Sequence, residues 1–70
     1  MEPASGEIRK MLRAMRKAKG LTQKQLAALV GLERTSITNI ELGNQQLTEN
    51  TINAIAHELG YRVKIKFERL

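Results

Sequence analysis

Four glycines divide the first 60 residues into short segments, and each segment carries apolar residues at helical spacing. Gly20, Gly31, Gly43 and Gly60 each follow such a segment, and glycine is the commonest residue just past the end of a helix. The second helix is predicted to open at Thr22, the third at residue 33 or 34, and the fourth at residue 48 or 50. The spacing therefore predicts four short helices before residue 60.

The apolar positions of these segments define a small candidate core. A chain of 70 residues buries only about 60% of its unfolded surface. Because this chain also lacks disulfides, tight helix packing or oligomerisation must stabilise it. The side chains expected to face inward are Ile8, Met11, Leu12, Met15, Ala18, Leu26, Ala27, Val30, Leu32, Ile37, Ile40, Ile52, Ile55, Ala56 and Leu59.

The last ten residues change from a helical period to a period of two. Tyr61, Val63, Ile65 and Phe67 alternate with charged side chains, which is typical of a half-buried strand. No second strand candidate occurs in the sequence, and a lone strand leaves its backbone N–H and C=O groups unpaired. We therefore expect these four residues to pair with the same strand of a second copy, so that residues 61–70 dimerise the protein.

The composition excludes most enzymatic chemistry. The chain has no Cys and no Asp, and His57 is its single histidine. One chain therefore cannot assemble a Ser-His-Asp or Cys-His site or a His-rich metal centre. We expect a non-enzyme without metal or cofactor, and 70 residues leave no room for a separate effector domain. No apolar run reaches the roughly 20 residues of a membrane span, and residues 1–7 lack the pattern of a signal peptide. These observations predict a cytoplasmic protein with no membrane partner.

The charge balance indicates a polyanionic partner, but the excess charge is unevenly distributed. Twelve basic side chains against seven acidic ones give a formal net charge of +5. Residues 20–60 contain only Lys24 and Arg34 against four glutamates, a net charge of −2. The excess lies in the first helix and in the last ten residues. Recognition of a polyanion by the middle segment must therefore depend on specific side chains.

Residues 22–42 have the features of a helix-turn-helix motif, two short helices joined by a glycine turn. Thr22 and Gln25 form a T-x-x-Q capping box at the start of the first helix. Ala27 supplies the small residue needed where the helices cross, and Gly31 supplies the residue that tolerates a positive φ in the turn. The apolar residues expected to hold the two helices together are Leu26, Val30, Leu32, Ile37 and Ile40.

The chain resembles the Cro/lambda-repressor-type (XRE) helix-turn-helix family in three segments, GLTQKQLAALVGL, RTSITNIELG and LTENTINAIAHELG. The resemblance extends from about Ile8 to Gly60. It implies a mainly α, lambda-repressor-like bundle of four helices over residues 1–60, encoded by a bacterium or a phage. It also implies a homodimer whose second motif helix enters the major groove of a palindromic operator in double-stranded DNA. Many members have a fifth helix where this chain has its predicted strand.

The resemblance also implies roles for individual residues. Gln23 corresponds to a position that clamps a phosphate with its amide and the helix N-terminus. Arg34 is expected to bind guanine O6 and N7, and Asn39 is expected to pair with adenine. Arg16 and Glu41 correspond to an ion pair that ties the first helix to the recognition helix. The full set of predicted DNA-binding residues is Thr22, Gln23, Arg34, Thr35, Ser36, Thr38, Asn39, Asn44 and Gln45.

These patterns predict a sequence-specific transcriptional repressor that occludes a promoter as a homodimer and autoregulates its own operon. Two alternatives stay open. One is an antitoxin-type regulator that binds a cognate toxin as well as operator DNA. The other is a protein-interaction module, which the net negative charge of residues 20–60 favours.

Overall fold

The structure is a computed structural model that describes residues 5–64 and 67–70. Within those ranges the chain forms four helices, α1 (Ser5–Ala18), α2 (Gln23–Val30), α3 (Arg34–Leu42) and α4 (Glu49–Glu58). The prediction of a mainly helical bundle with four helices is confirmed.

Hydrogen bonds within the first turn fix the start of α2. The Thr22 hydroxyl accepts from the Gln25 backbone N–H at 3.0 Å, and the Gln25 side chain accepts from the Thr22 backbone N–H at 2.8 Å. This capping box satisfies two of the N–H groups that every helix start leaves without an internal partner. Thr48 caps α4 with a similar bond, in which its hydroxyl accepts from the Thr51 N–H at 3.3 Å.

The turn between α2 and α3 depends on the backbone conformation of Gly31. This residue has φ 70° and ψ 30°, in the left-handed region, and its N–H donates to the Ala27 carbonyl. The Leu32 N–H donates to the same carbonyl at 2.9 Å. A β-carbon at Gly31 would meet no atom within 4 Å. The position therefore requires glycine for its φ, which costs an L-residue about 1–2 kcal/mol, and not for lack of space.

The core lies where α2 and α3 pack together and where α1 and α4 close over them. Leu26, Ile37, Ile40 and Ile55 are each at most 2% exposed. α2 contacts both α3 and α4, while α1 contacts α3. Because Ile37 and Ile40 turn inward, the polar side of α3 is left at the surface.

Three residues predicted for the core are exposed instead. Met11 is 58% exposed, Leu32 is 37% exposed, and Ala18 is also at the surface. Met11 lines an apolar groove of about 490 Å³ between α1, α4 and residues 61–64. The apolar face of α1 is thus wider than the area that the other three helices can cover, which a periodicity argument does not measure.

The C-terminal segment follows α4 without forming regular secondary structure in the part that the structure describes. Tyr61 and Val63 line the apolar groove, and Phe67 is 86% exposed. Ile65 lies outside the described residues. A strand needs a hydrogen-bonded neighbour, and the described residues of one copy supply none for residues 61–64. Strand pairing across a homodimer therefore stays a prediction.

Candidate nucleic-acid interface

The outer surface of α3 carries a shallow depression, here called the α3 depression. It is lined by Arg34, Thr35, Thr38 and Asn39 and has a volume of about 240 Å³. Arg34 and Thr35 are exposed, while Thr38 and Asn39 are half-buried. Arg34 and Thr38 are four residues apart, as are Thr35 and Asn39, which brings these side chains to one side of the helix. Their side chains offer a guanidinium fork, two hydroxyls and an amide, all of which can hydrogen-bond to base edges or phosphates.

The other predicted DNA-binding residues do not line the α3 depression. Ser36 is half-buried and does not line it. Thr22 is exposed at the start of α2, where its hydroxyl is engaged as the cap. Asn44 and Gln45 are exposed in the loop after α3.

Gln23 is held by two hydrogen bonds that connect α2 to α3. Its Nε2 donates to Glu41 Oε1 at 3.2 Å, and its Oε1 accepts from the Thr38 hydroxyl at 2.7 Å. An amide nitrogen carries two hydrogens, and the bond to Glu41 uses one of them. The side chain predicted from the sequence to clamp phosphate is therefore itself oriented by a second element of the protein.

Arg16 and Glu41 form a buried ion pair with two parallel hydrogen bonds. Arg16 Nε donates to Glu41 Oε2 at 2.7 Å, and Arg16 Nη2 donates to Glu41 Oε1 at 2.9 Å. The Arg16 and Glu41 side chains are only 8% and 6% exposed. Arg16 Nη1 also donates to the Leu21 carbonyl at 2.8 Å. The pair thus joins α1, the loop before α2, and α3.

Both members of the ion pair are charged at neutral pH. Burial by itself raises the pKa of Glu41, but the hydrogen bonds from Arg16 and Gln23 and the charges of Arg16 and Arg13 outweigh burial. The net effect lowers the pKa of Glu41 below its ordinary value of 4.5. The hydrogen bond to Glu41 raises the pKa of Arg16, although burial opposes that rise.

Arg9 makes a contact that the sequence interpretation missed. Its Nη1 donates to the Ile40 carbonyl near the end of α3, and its Nη2 donates to the Gln45 carbonyl at 2.9 Å. The Ile40 carbonyl also accepts from the Gly43 N–H at 3.2 Å, so Arg9 is its second donor, and the cation complements the dipole at the end of α3. The sequence gives only a weak signal for this role, since Arg9 shares a face of α1 with Arg13 and Arg16.

Two helices joined at a left-handed glycine, with polar side chains on the outer face of the second, define a helix-turn-helix protein. The chain belongs to the XRE-type helix-turn-helix family, because the family model described as "Helix-turn-helix domain" matches residues 10–64.

A solved structure with the same fold is that of the clp gene regulator ClgR from Corynebacterium glutamicum. The two chains are 25% identical with a TM-score of 0.77, over 89% of this chain and 67% of that one. The comparison with curated proteins finds no match. Within the described ranges, no helix has both the length and the apolar content needed to cross a membrane.

Proposed function

We propose that this protein is a sequence-specific DNA-binding transcriptional repressor, which acts in the cytoplasm as a homodimer on a palindromic operator. The single observation that carries the proposal is the α3 depression. It gathers four side chains with base-recognising chemistry on the outer face of the second motif helix. The similarity in fold to a clp gene regulator supports a role in transcription.

Repression by promoter occlusion follows from this mode of binding. A dimer with two recognition helices about 34 Å apart covers two half-sites one helical turn apart. Such a complex blocks access to any promoter sequence beneath it, including that of the protein's own operon. Arg34 is proposed to bind guanine, Asn39 to bind adenine, and Gln23 to contact phosphate through its remaining N–H. Thr22, Thr35, Ser36, Asn44 and Gln45 are proposed as further contacts to the DNA.

DNA binding is tested by measuring affinity for DNA from upstream of the gene at two salt concentrations. Affinity should fall steeply with salt, because phosphate contacts release counterions. Arg34→Ala should weaken operator binding by about 1–3 kcal/mol and relax one guanine preference. Arg34→Lys is the matched variant, since it keeps the charge but loses the guanidinium fork. Because lysine can also donate to guanine O6 and N7, the deciding result is that of Arg34→Ala, and retention of the guanine preference in that variant would remove Arg34 from base recognition.

The proposed dimer rests on the apolar side chains that one copy leaves uncovered. Tyr61 is 54% exposed and Phe67 is 86% exposed. Phe67→Ser should shift the sedimentation equilibrium towards monomer, and its high exposure means that the fold of one copy should be unaffected. Glu68→Ser is the matched control, because Glu68 is adjacent and also exposed but falls on the opposite face of the predicted strand. A wild-type monomer, or a Phe67→Ser dimer as stable as wild type, would exclude this mode of dimerisation.

A further inference from the structure

A continuous line of hydrogen bonds leads from the buried ion pair to the α3 depression, and we call it the Arg16–Thr38 relay. Arg16 donates to Glu41, Glu41 accepts from Gln23, and Gln23 accepts from Thr38. The last member, Thr38, also lines the α3 depression together with Arg34, Thr35 and Asn39. The relay therefore connects a charge in the core to a hydroxyl on the face that meets DNA in the proposed function.

The direction of every hydrogen bond in the relay is forced by its buried end. An arginine can only donate, and an ionised carboxylate can only accept. The amide of Gln23 must therefore turn its donor, Nε2, towards Glu41, which leaves its acceptor, Oε1, facing Thr38. Since Gln23 Oε1 can only accept, the contact between Gln23 and Thr38 is a hydrogen bond only when the Thr38 hydroxyl donates. The ion pair of Arg16 and Glu41, at the other end of the relay, thus determines that Thr38 is the donor in its hydrogen bond to Gln23.

The second possible acceptor for the Thr38 hydrogen also lies within the protein. The hydroxyl oxygen is 3.1 Å from the Arg34 carbonyl oxygen and 2.7 Å from Gln23 Oε1. In either orientation the hydrogen points to an atom of this chain. What Thr38 has left for a partner in the α3 depression, which it lines, is a pair of acceptor lone pairs and a methyl group.

We propose that Thr38 is a specificity-determining residue that acts towards DNA only as a hydrogen-bond acceptor and so selects an amino-bearing base. In the major groove, adenine N6 and cytosine N4 are donors, whereas guanine O6 and N7 and thymine O4 are acceptors. Thr38 therefore favours adenine or cytosine on the strand nearest to it, and disfavours guanine. This inference rests on the proposed function, because it requires that the α3 depression faces the major groove.

The first experiment selects bound sequences from random double-stranded DNA with the full chain and with two variants. Thr38→Val removes the hydroxyl and keeps the shape of the side chain, while Thr38→Ser keeps the hydroxyl and removes the methyl group. We expect one position of the motif to hold adenine or cytosine with wild type and Thr38→Ser, and to lose that preference with Thr38→Val. The Arg34-dependent guanine should be unchanged in all three proteins.

The second experiment removes the amino group from the DNA. At the position that Thr38→Val affects, adenine is replaced by unsubstituted purine, or cytosine by 2-pyrimidinone. Affinity should fall about 2- to 12-fold for wild type and Thr38→Ser, the range of one neutral hydrogen bond, and should stay unchanged for Thr38→Val. In Glu41→Gln the carboxamide can donate to Gln23, so Gln23 can rotate and its Nε2 can donate to Thr38 Oγ1, which occupies an acceptor lone pair that the DNA would otherwise use. The affinity for the unmodified DNA divided by the affinity for the DNA without the amino group should therefore be smaller in Glu41→Gln than in wild type. This ratio is independent of the fraction of protein that is folded.

The outcomes separate this inference from the function on which it rests. If wild type enriches no sequence at all, the proposed DNA recognition itself fails. If wild type enriches a motif that Thr38→Val leaves unchanged at every position, only the inference fails. A Thr38-dependent preference for guanine or thymine would also overturn it, because those bases need a donor. A Glu41→Gln ratio equal to that of wild type would exclude the Arg16–Thr38 relay as the cause of the polarity.

Discussion

Replacing Arg16 with methionine should remove a large share of the free energy of unfolding. The substitution deletes two hydrogen bonds to Glu41 and one to the Leu21 carbonyl. It leaves the Glu41 carboxylate, 6% exposed, with the Gln23 amide at 3.2 Å and the largely exposed Arg13 at 3.8 Å as its remaining partners. These contacts replace only part of what Arg16 supplied, and a buried carboxylate has little access to water that could supply the rest.

The expected loss of stability in Arg16→Met is large compared with the total free energy of unfolding. Removing one member of a buried ion pair costs about 3–5 kcal/mol. The Gln23 and Arg13 contacts persist in the variant, so we expect the lower end, about 3 kcal/mol. A domain of 70 residues has a free energy of unfolding of about 4–10 kcal/mol. The loss is therefore about 30% or more of the total free energy of unfolding, and it should lower Tm by about 12–24 °C.

Urea denaturation followed by circular dichroism measures this loss directly. The control is Arg13→Met, the same substitution at a neighbouring arginine whose side chain is 58% exposed and 3.8 Å from Glu41. An exposed pair of this kind contributes about 0–1 kcal/mol. The double variant Arg16→Met with Glu41→Leu should be more stable than Arg16→Met alone, because no unpaired charge stays buried. Equal losses in Arg16→Met and Arg13→Met would refute this account of the ion pair.

Two further predictions concern the same helices. The lowered pKa of Glu41 contributes stability that is present above the ordinary value of 4.5 and is lost as the pH falls through the folded-state pKa. Wild type should therefore lose more free energy of unfolding than Glu41→Gln between about pH 5 and about pH 3, and parallel pH profiles for the two proteins would contradict the pKa assignment. Thr22→Ala removes the hydroxyl that accepts from the Gln25 N–H and should cost about 1 kcal/mol. Thr22→Ser should restore most of this stability in thermal denaturation, and a Thr22→Ala protein as stable as wild type would show that the cap contributes nothing.

The parts of the fold that depend on neighbouring residues were predictable from the sequence. The capping box at Thr22 and the left-handed turn at Gly31 involve atoms within one helical turn, so local pattern identifies them. The grouping of Arg34 and Thr38 on one side of α3 follows from their spacing of four residues in a helix. The placement of Ile37 and Ile40 in the core follows from the same period.

Contacts between distant residues depend on how the helices cross, and periodicity does not contain that information. Arg9 reaches the Ile40 carbonyl 31 residues away, and Thr38 reaches Gln23 15 residues away. The exposure of Met11 likewise depends on how far α4 extends over α1. None of these relations repeats with the period of a helix.

The sequence by itself determined four helices, a helix-turn-helix motif and the side chains available on its recognition face, because capping and amphipathic spacing act within a few residues. Only the tertiary structure decided whether a side chain such as Thr38 offers a hydrogen-bond donor or an acceptor to a partner. Thr38 can donate or accept as an isolated residue, and it becomes an acceptor towards the outside because packing brings it to Gln23, and Gln23 to Glu41. The buried ion pair determines which groups along this line of hydrogen bonds donate and which accept. It can do so only because the fold brings α1, α2 and α3 into contact.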